Sequence, residues 1–156
     1  MQIAFFLTTK AESSYLLESA TLRQALEKME YHHFAAMPVL NSEGFYLYTL
    51  FLEDCFWTFK RNPELCFADT EKIMISEIQT HRKVEAVNIS AQLDELIPKI
   101  VEQNFIPVVD DLGVYIGLVR RRAIVEYCRP LLLQEYKKNK QTENKFLLKG
   151  VPNMAL

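Results

Sequence analysis

Between Phe105 and Ile124 a short apolar run opens at Pro107, and turn residues follow from Asp110 to Gly113. A second apolar run covers Val114 to Val119, and from Arg120 the spacing becomes helical. The pattern predicts a hairpin feeding a helix. The same punctuation stands 69 positions earlier: Pro38 matches Pro107, Val39 matches Val108, Gly44 matches Gly113 and Tyr46 matches Tyr115, with polar residues in both turns. The chain reads as an internal duplication.

Each hairpin follows a segment whose apolar residues fall on one helical stripe, Leu22, Ala25, Leu26 and Met29 in the first repeat and Leu93, Leu96, Ile97, Ile100 and Val101 in the second. The predicted order in each repeat is strand, helix, strand, strand, helix, an α+β class. A repeat this small buries little of its own surface, so the two are expected to pack as a pseudo-twofold pair around a shared core.

Tyr15-Leu16-Leu17 reads as the first strand. Thr21-Leu22-Arg23-Gln24 has the form of a capping box, which starts a helix at Thr21 that runs to about Tyr31. The patch Ile3 to Leu7 predicts a short helix or strand packed on the first repeat. Leu52, Cys55, Phe56 and Phe59 share one face of the helix after the first hairpin, with Trp57 off it. Pro63 ends that helix, and Leu65 to Ser76 bridges to the second repeat through a turn and a short helix around Ile73 to Ile78. Val84 to Val87 reads as the next strand. Pro98 predicts a kink in the following helix, if Ser90 caps it, or a later start. The last helix is expected from Arg121 to about Lys138, with a kink at Pro130, followed by a solvated, partly disordered end. The apolar-tipped segment from Phe146 could instead dock. These boundaries divide the chain into 1–70, 71–130 and 131–156.

Composition narrows the function. At 156 residues with 49% apolar content the chain suits one domain or two small intertwined ones. A formal charge of -2 provides no overall basic field for nonspecific nucleic-acid binding. Three cysteines, an odd number without a signal-like leader, point to a reducing cytoplasm. No apolar run approaches the ~20 residues of a membrane span.

The doubled pattern, Pro-Val before a turn glycine with a helix about ten residues later, resembles the CBS domain, a module usually found in pairs. The resemblance covers roughly Tyr15 to Cys128. It implies a regulatory module with ligands held in clefts between the repeats; the residues themselves offer no catalytic constellation and no metal-ligand spacing, so neither an enzyme nor a metal or other cofactor is expected. It implies a homodimer, and a protein partner that reads the ligand. Among CBS proteins the chain is similar to small stand-alone bacterial pairs, some of which bind cyclic di-AMP or AMP.

In adenosine-binding pairs of this family, adenine packs on apolar strand residues. Here these would be Ala36, Met37 and Pro38 in one repeat and Phe105, Ile106 and Pro107 in the other. The helix-start hydroxyl that meets phosphate and the acid that accepts ribose hydroxyls fall on Phe51 and Asp54, and on Arg120 and Ala123. Each repeat thus keeps part of the pattern. Asp54 offers two acceptor oxygens to a ribose, but an acid in a first helical turn also favours the helix dipole without a ligand. Phe51 either stacks on a base or fills the cleft. Arg120, Arg121 and Arg122 oppose the dipole at a helix start, which suits a bound phosphate; the alternative is a solvated patch paired with Glu126. The family's basic residue before the first strand falls on Glu12, with Lys10 nearby.

No glycine-rich phosphate loop or nucleophile elbow is present, and His32, His33 and His81 lack metal-ligand spacing. The acids Asp110 and Asp111 have a structural role in the turn. Two functions remain: an adenine-nucleotide sensor, with phosphates on Arg121 and Arg122 and the base on Ile106 and Pro107, or a dimerisation scaffold whose clefts are filled. Trp57, Phe59 and Tyr127 as exposed aromatics would favour the scaffold.

Overall fold

The structure, a computed structural model, describes residues 1–149. It divides into two compact units, one from Met1 to Arg121 and one from Arg122 onward.

The first unit holds both hairpins. In the first repeat β2 (Leu16–Leu17) pairs parallel with β3 (Ala36–Leu40), which pairs antiparallel with β4 (Tyr46–Phe51). In the second, β5 (Val87–Asn88) pairs parallel with β6 (Phe105–Val109), which pairs antiparallel with β7 (Tyr115–Arg120). The registers match residue for residue at the predicted offset: Ala36 faces Phe51 and Phe105 faces Arg120, and both ladders shift at the residue after the Pro-Val. The turns are built alike as well. Asn41 Oδ1 accepts the N–H groups of Glu43 and Phe45, and Asp110 Oδ1 accepts those of Leu112 and Val114. Each side-chain oxygen, amide in Asn41 and carboxylate in Asp110, thus closes its own turn, and Asp111 is tied to Asn88. The glycines that follow, Gly44 and Gly113, have φ of 91° and 86°, a left-handed conformation that glycine adopts without strain.

Helix α1 (Leu22–His32) starts at the predicted capping box: Thr21 Oγ1 accepts the Gln24 N–H at 3.2 Å and the Gln24 side chain accepts the Thr21 N–H at 3.0 Å. His33 ends it in the left-handed conformation, with φ of 55°. Leu22, Ala25 and Met29 are buried and pack with Leu16, Met37, Val39, Leu50, Cys55, Ile75 and Ile78. In α3 (Leu93–Glu102) the buried stripe is narrower than predicted: Leu96 and Ile100 are buried while Ile97 and Val101 are exposed. The later start holds for α3. Its N-cap is Gln92, because the Ser90 hydroxyl is spent on Asn88.

Four expectations change. The N-terminal segment does not pack on the first repeat's sheet. After a 3-10 turn at Ile3–Phe6, β1 (Leu7–Thr9) adds antiparallel to β7, giving the sheet order β1-β7-β6-β5. Gly117 permits this, since a Cβ there would collide with the Thr8 carbonyl. The strand predicted at Val84 begins at Val87; Val84 instead gives its carbonyl to the Tyr46 hydroxyl at 2.7 Å. On α2 (Leu52–Arg61) Leu52 and Phe56 are exposed while Asp54 and Cys55 are buried, so the inner face is turned toward the acid. Because β5 starts late, the bridge runs on to residue 86; it carries two short 3-10 turns, Phe67–Glu71 and Ile75–Glu77.

The fourth change concerns the last helix. α4 (Arg121–Lys149) runs well past Lys138 without stopping at Pro130. The end of the apolar-tipped segment, residues 150–156, lies outside the described residues. No helix among the described residues is long and apolar enough to cross a membrane.

Candidate functional site

The strand starts and strand ends of the two hairpins meet the bridge at one cavity. Ala36 opens β3, Phe51 closes β4 and Phe105 opens β6; with Arg82, Lys83 and Val84 of the bridge and Glu102, Gln103 and Asn104 after α3, they line a space of about 160 Å³. A cavity of this size holds one small ring, as an apolar cavity of similar volume holds benzene. Its lining holds two cations, Arg82 and Lys83, and one acid, Glu102. The Arg82 guanidinium lies 5.2 Å from the centre of the Phe51 ring, and its charge is shared with Glu53 at 2.8 Å on the surface. Lys83 pairs with Glu85 at 3.1 Å, and both groups are largely exposed. Exposed pairs of this kind are worth little, so either cation is available to an anion. On the cavity wall, Gln103 has a buried Oε1 with no hydrogen-bond partner among the described residues.

Asp54 lies beside this cavity and is fully engaged. Its side chain has no exposure; Oδ2 accepts the Phe51 N–H at 3.2 Å, and Oδ1 accepts both the His81 N–H at 3.1 Å and His81 Nδ1 at 2.7 Å. Arg61 Nη2 approaches His81 Nε2 at 2.6 Å, and Arg61 Nη1 donates to Gln79 at 2.8 Å. A neutral imidazole carrying its proton on Nδ1 satisfies both contacts.

The pseudo-symmetric position in the second repeat is filled differently. Phe34 stands where Gln103 stands in the first cleft. The Arg120 guanidinium lies 5.8 Å from the Phe34 ring centre, and the His32 ring stacks on Phe34 at 5.4 Å. His32 Nε2 is 3.1 Å from the Ser14 hydroxyl.

Of the residues singled out in the sequence, Ala36, Phe51 and Phe105 therefore line one cavity. Met37, Pro38, Ile106 and Pro107 are buried inside their sheets. The three arginines have separate roles. Arg120 covers Phe34, Arg121 donates to the Ile100 and Val101 carbonyls at the end of α3 at 3.4 and 3.5 Å, and Arg122 pairs with Glu126 at 2.6 Å. Trp57, Phe59 and Tyr127 are half-buried, not exposed. Arg82, Lys83 and Gln103 escaped the sequence reading, and His81 entered it only as a residue without metal-ligand spacing. The one available signal was the Arg82-Lys83 pair between the short helix predicted at Ile73 to Ile78 and the strand predicted at Val84.

Burial marks which ionisable groups are structural. It pushes the Tyr46 and Tyr115 phenols and the Cys55 thiol up to about 12. Each is better satisfied neutral: Tyr46 by Val84, and Tyr115 by Ser13 at 3.1 Å. Among the described residues no cluster of His, Cys, Asp and Glu could hold a metal ion.

Two β-α-β-β-α repeats joined at their hairpins, with a ring-sized cleft at the strand ends, define a paired α+β module. Residues 12–54 and 75–129 match the model of the CBS domain, so the chain belongs to the CBS domain family. Comparison with curated proteins gives no match. Among solved structures the fold is similar to CbpB in complex with c-di-AMP, at 21% identity and a TM-score of 0.74, covering 88% of this chain and 91% of that one. It is similar to the Listeria monocytogenes CbpB protein in complex with c-di-AMP, at 16% identity and 0.71 over 85% and 98% of the two chains. CBSX2 in complex with AMP is 18% identical, with a TM-score of 0.67 over 83% and 97%.

Proposed function

We propose that this chain is a regulatory module that senses an adenine nucleotide in the cavity at Phe51 and passes its occupancy to a partner protein. The observation that carries the reading is the cavity itself: ring-sized, bounded by Phe51 and Phe105, and edged by Arg82 and Lys83. The base would enter between the aromatic residues and the phosphate would meet the two cations, since guanidinium forks and ammonium groups both bind phosphate oxygens. The bound c-di-AMP and AMP of structures with this fold support the choice of ligand class. A ligand acts as a signal only if it binds one arrangement of the protein better than another.

The test is a thermal-shift and calorimetric titration with AMP, ADP, ATP and cyclic di-AMP. A ligand at about a hundred times its dissociation constant stabilises the fold by roughly 2.7 kcal/mol, a rise of several degrees in melting temperature. Arg82→Ala with Lys83→Ala should weaken binding at least tenfold, whereas Arg121→Ala with Arg122→Ala should leave it within a factor of two. The reverse result would return the phosphate to the α4 start. No response to any nucleotide would favour the scaffold reading, which the Phe34 ring in the place of Gln103 supports. Under either reading the chain works as a homodimer, with Leu52 and Phe56 of α2 in the interface.

A further inference from the structure

The bridge between the repeats is not held to its sheet as its counterpart is. Along the edge of β7 the N-terminal segment forms a main-chain ladder through Leu7, Thr8 and Thr9. Beside β4 the bridge residues 80–86 run past Tyr46, Leu47 and Tyr48 with no ladder, leaving a groove between. Side chains hold it instead: the Tyr46 hydroxyl donates to the Val84 carbonyl, and the others converge on α2, Gln79 and His81 on Arg61, His81 on Asp54, and Arg82 on Glu53. At its centre is a carboxylate with no solvent exposure. The second repeat cannot copy this arrangement, because Ala123 occupies the position of Asp54.

A buried carboxylate does not stay unpaired: losing its donors costs more than the bonds contribute, so it keeps one set until another replaces it. The next donors within reach would belong to a molecule in the adjoining cavity, whose wall is formed by Phe51 and Arg82, direct neighbours of the Asp54 contacts. We propose that His81 is a latch. It closes Asp54 to ligands in the resting protein, and a ligand carrying a phosphate for Arg82 and Lys83 together with neighbouring hydroxyl groups exchanges those hydroxyls for the His81 donors and releases residues 79–81, while Arg82 and Lys83 stay on the phosphate. The inference rests on the nucleotide reading of the cavity and adds what moves: the freed segment before Arg82 is the signal, and Asp54 couples it to the sugar.

Amide hydrogen exchange of the full-length protein with and without AMP, alongside calorimetry, tests this. In the wild-type protein AMP should speed exchange at His81 at least tenfold. Dideoxy-AMP, which keeps the phosphate but lacks both sugar hydroxyls, should bind without that change. His81→Ala should exchange fast through the bridge without ligand and bind AMP at least fivefold more tightly, having no latch to displace. Arg61→Gln, a surface change that removes the contacts to Gln79 and to His81 Nε2 but leaves the His81–Asp54 bonds, should move both readouts the same way and serves if His81→Ala does not fold.

If AMP binds but His81 protection is unchanged and neither variant binds more tightly, the latch is wrong while the sensor reading stands. AMP binding to the variants alone would support a tightly closed latch. Binding to none of the proteins would overturn both.

Discussion

Asp54 shows how one side chain can satisfy two readings at the residue scale. As an acid in the first turn of α2 it suits the positive end of the helix dipole, and it accepts the Phe51 N–H, so the local expectation is met. Its other oxygen takes two donors from His81, a contact between residues 27 positions apart that no local pattern encodes. Asp54→Ala should therefore cost about 2–3 kcal/mol in urea unfolding, because three partly buried N–H groups, two of the backbone and the His81 ring, lose their acceptor. Cys55 and the two hairpin tyrosines allow a second prediction. Their acid–base midpoints are raised to about 12 when folded, against ordinary values near 8.5 and 10. The unfolded chain thus loses these protons first as pH rises. Stability should be full below about pH 8.5 and fall steadily through pH 12, each group contributing up to about 1.4 kcal/mol per pH unit, as urea melts across that window would show. At pH 8 iodoacetamide should label exposed Cys66 quickly and Cys55 only after unfolding.

At the scale of elements, the hairpins were legible because their information is local. Asn41 and Asp110 each close a turn within four residues, and the Thr21 capping box spans three. Thr21→Ala should cost about 1 kcal/mol, a fall of roughly 2–4 °C in melting temperature, by removing the acceptor of the Gln24 N–H. The placement of β1 was not legible, since a three-residue strand carries no mark of which edge it will join. Gly117 was the one clue, and only the approach of the Thr8 carbonyl explains it. Gly117→Ala should cost about 1–3 kcal/mol and raise amide exchange across Leu7–Thr9 while leaving the first repeat protected.

The scale of the whole molecule is where the duplication stops being symmetric. One cleft is open at Phe51 and lined by Arg82 and Lys83, while at the pseudo-equivalent place the Phe34 ring meets His32 and Arg120. Large apolar side chains remain exposed on α2, Phe56 at 62% and Leu52 at 44%, which is the surface a second copy would cover. Light scattering should report a homodimer, and Leu52→Glu with Phe56→Glu should yield a folded monomer. The sequence by itself determined the repeat, the order of elements in it, the turns and the first helix cap, because each depends on residues within a few positions of one another. Tertiary structure alone decided which sheet the N-terminal strand joins, and that Arg121 reaches the end of α3 while Arg82 lines the cavity. Those outcomes depend on which distant segment reaches a buried donor or acceptor first, and periodicity along a chain holds no record of that.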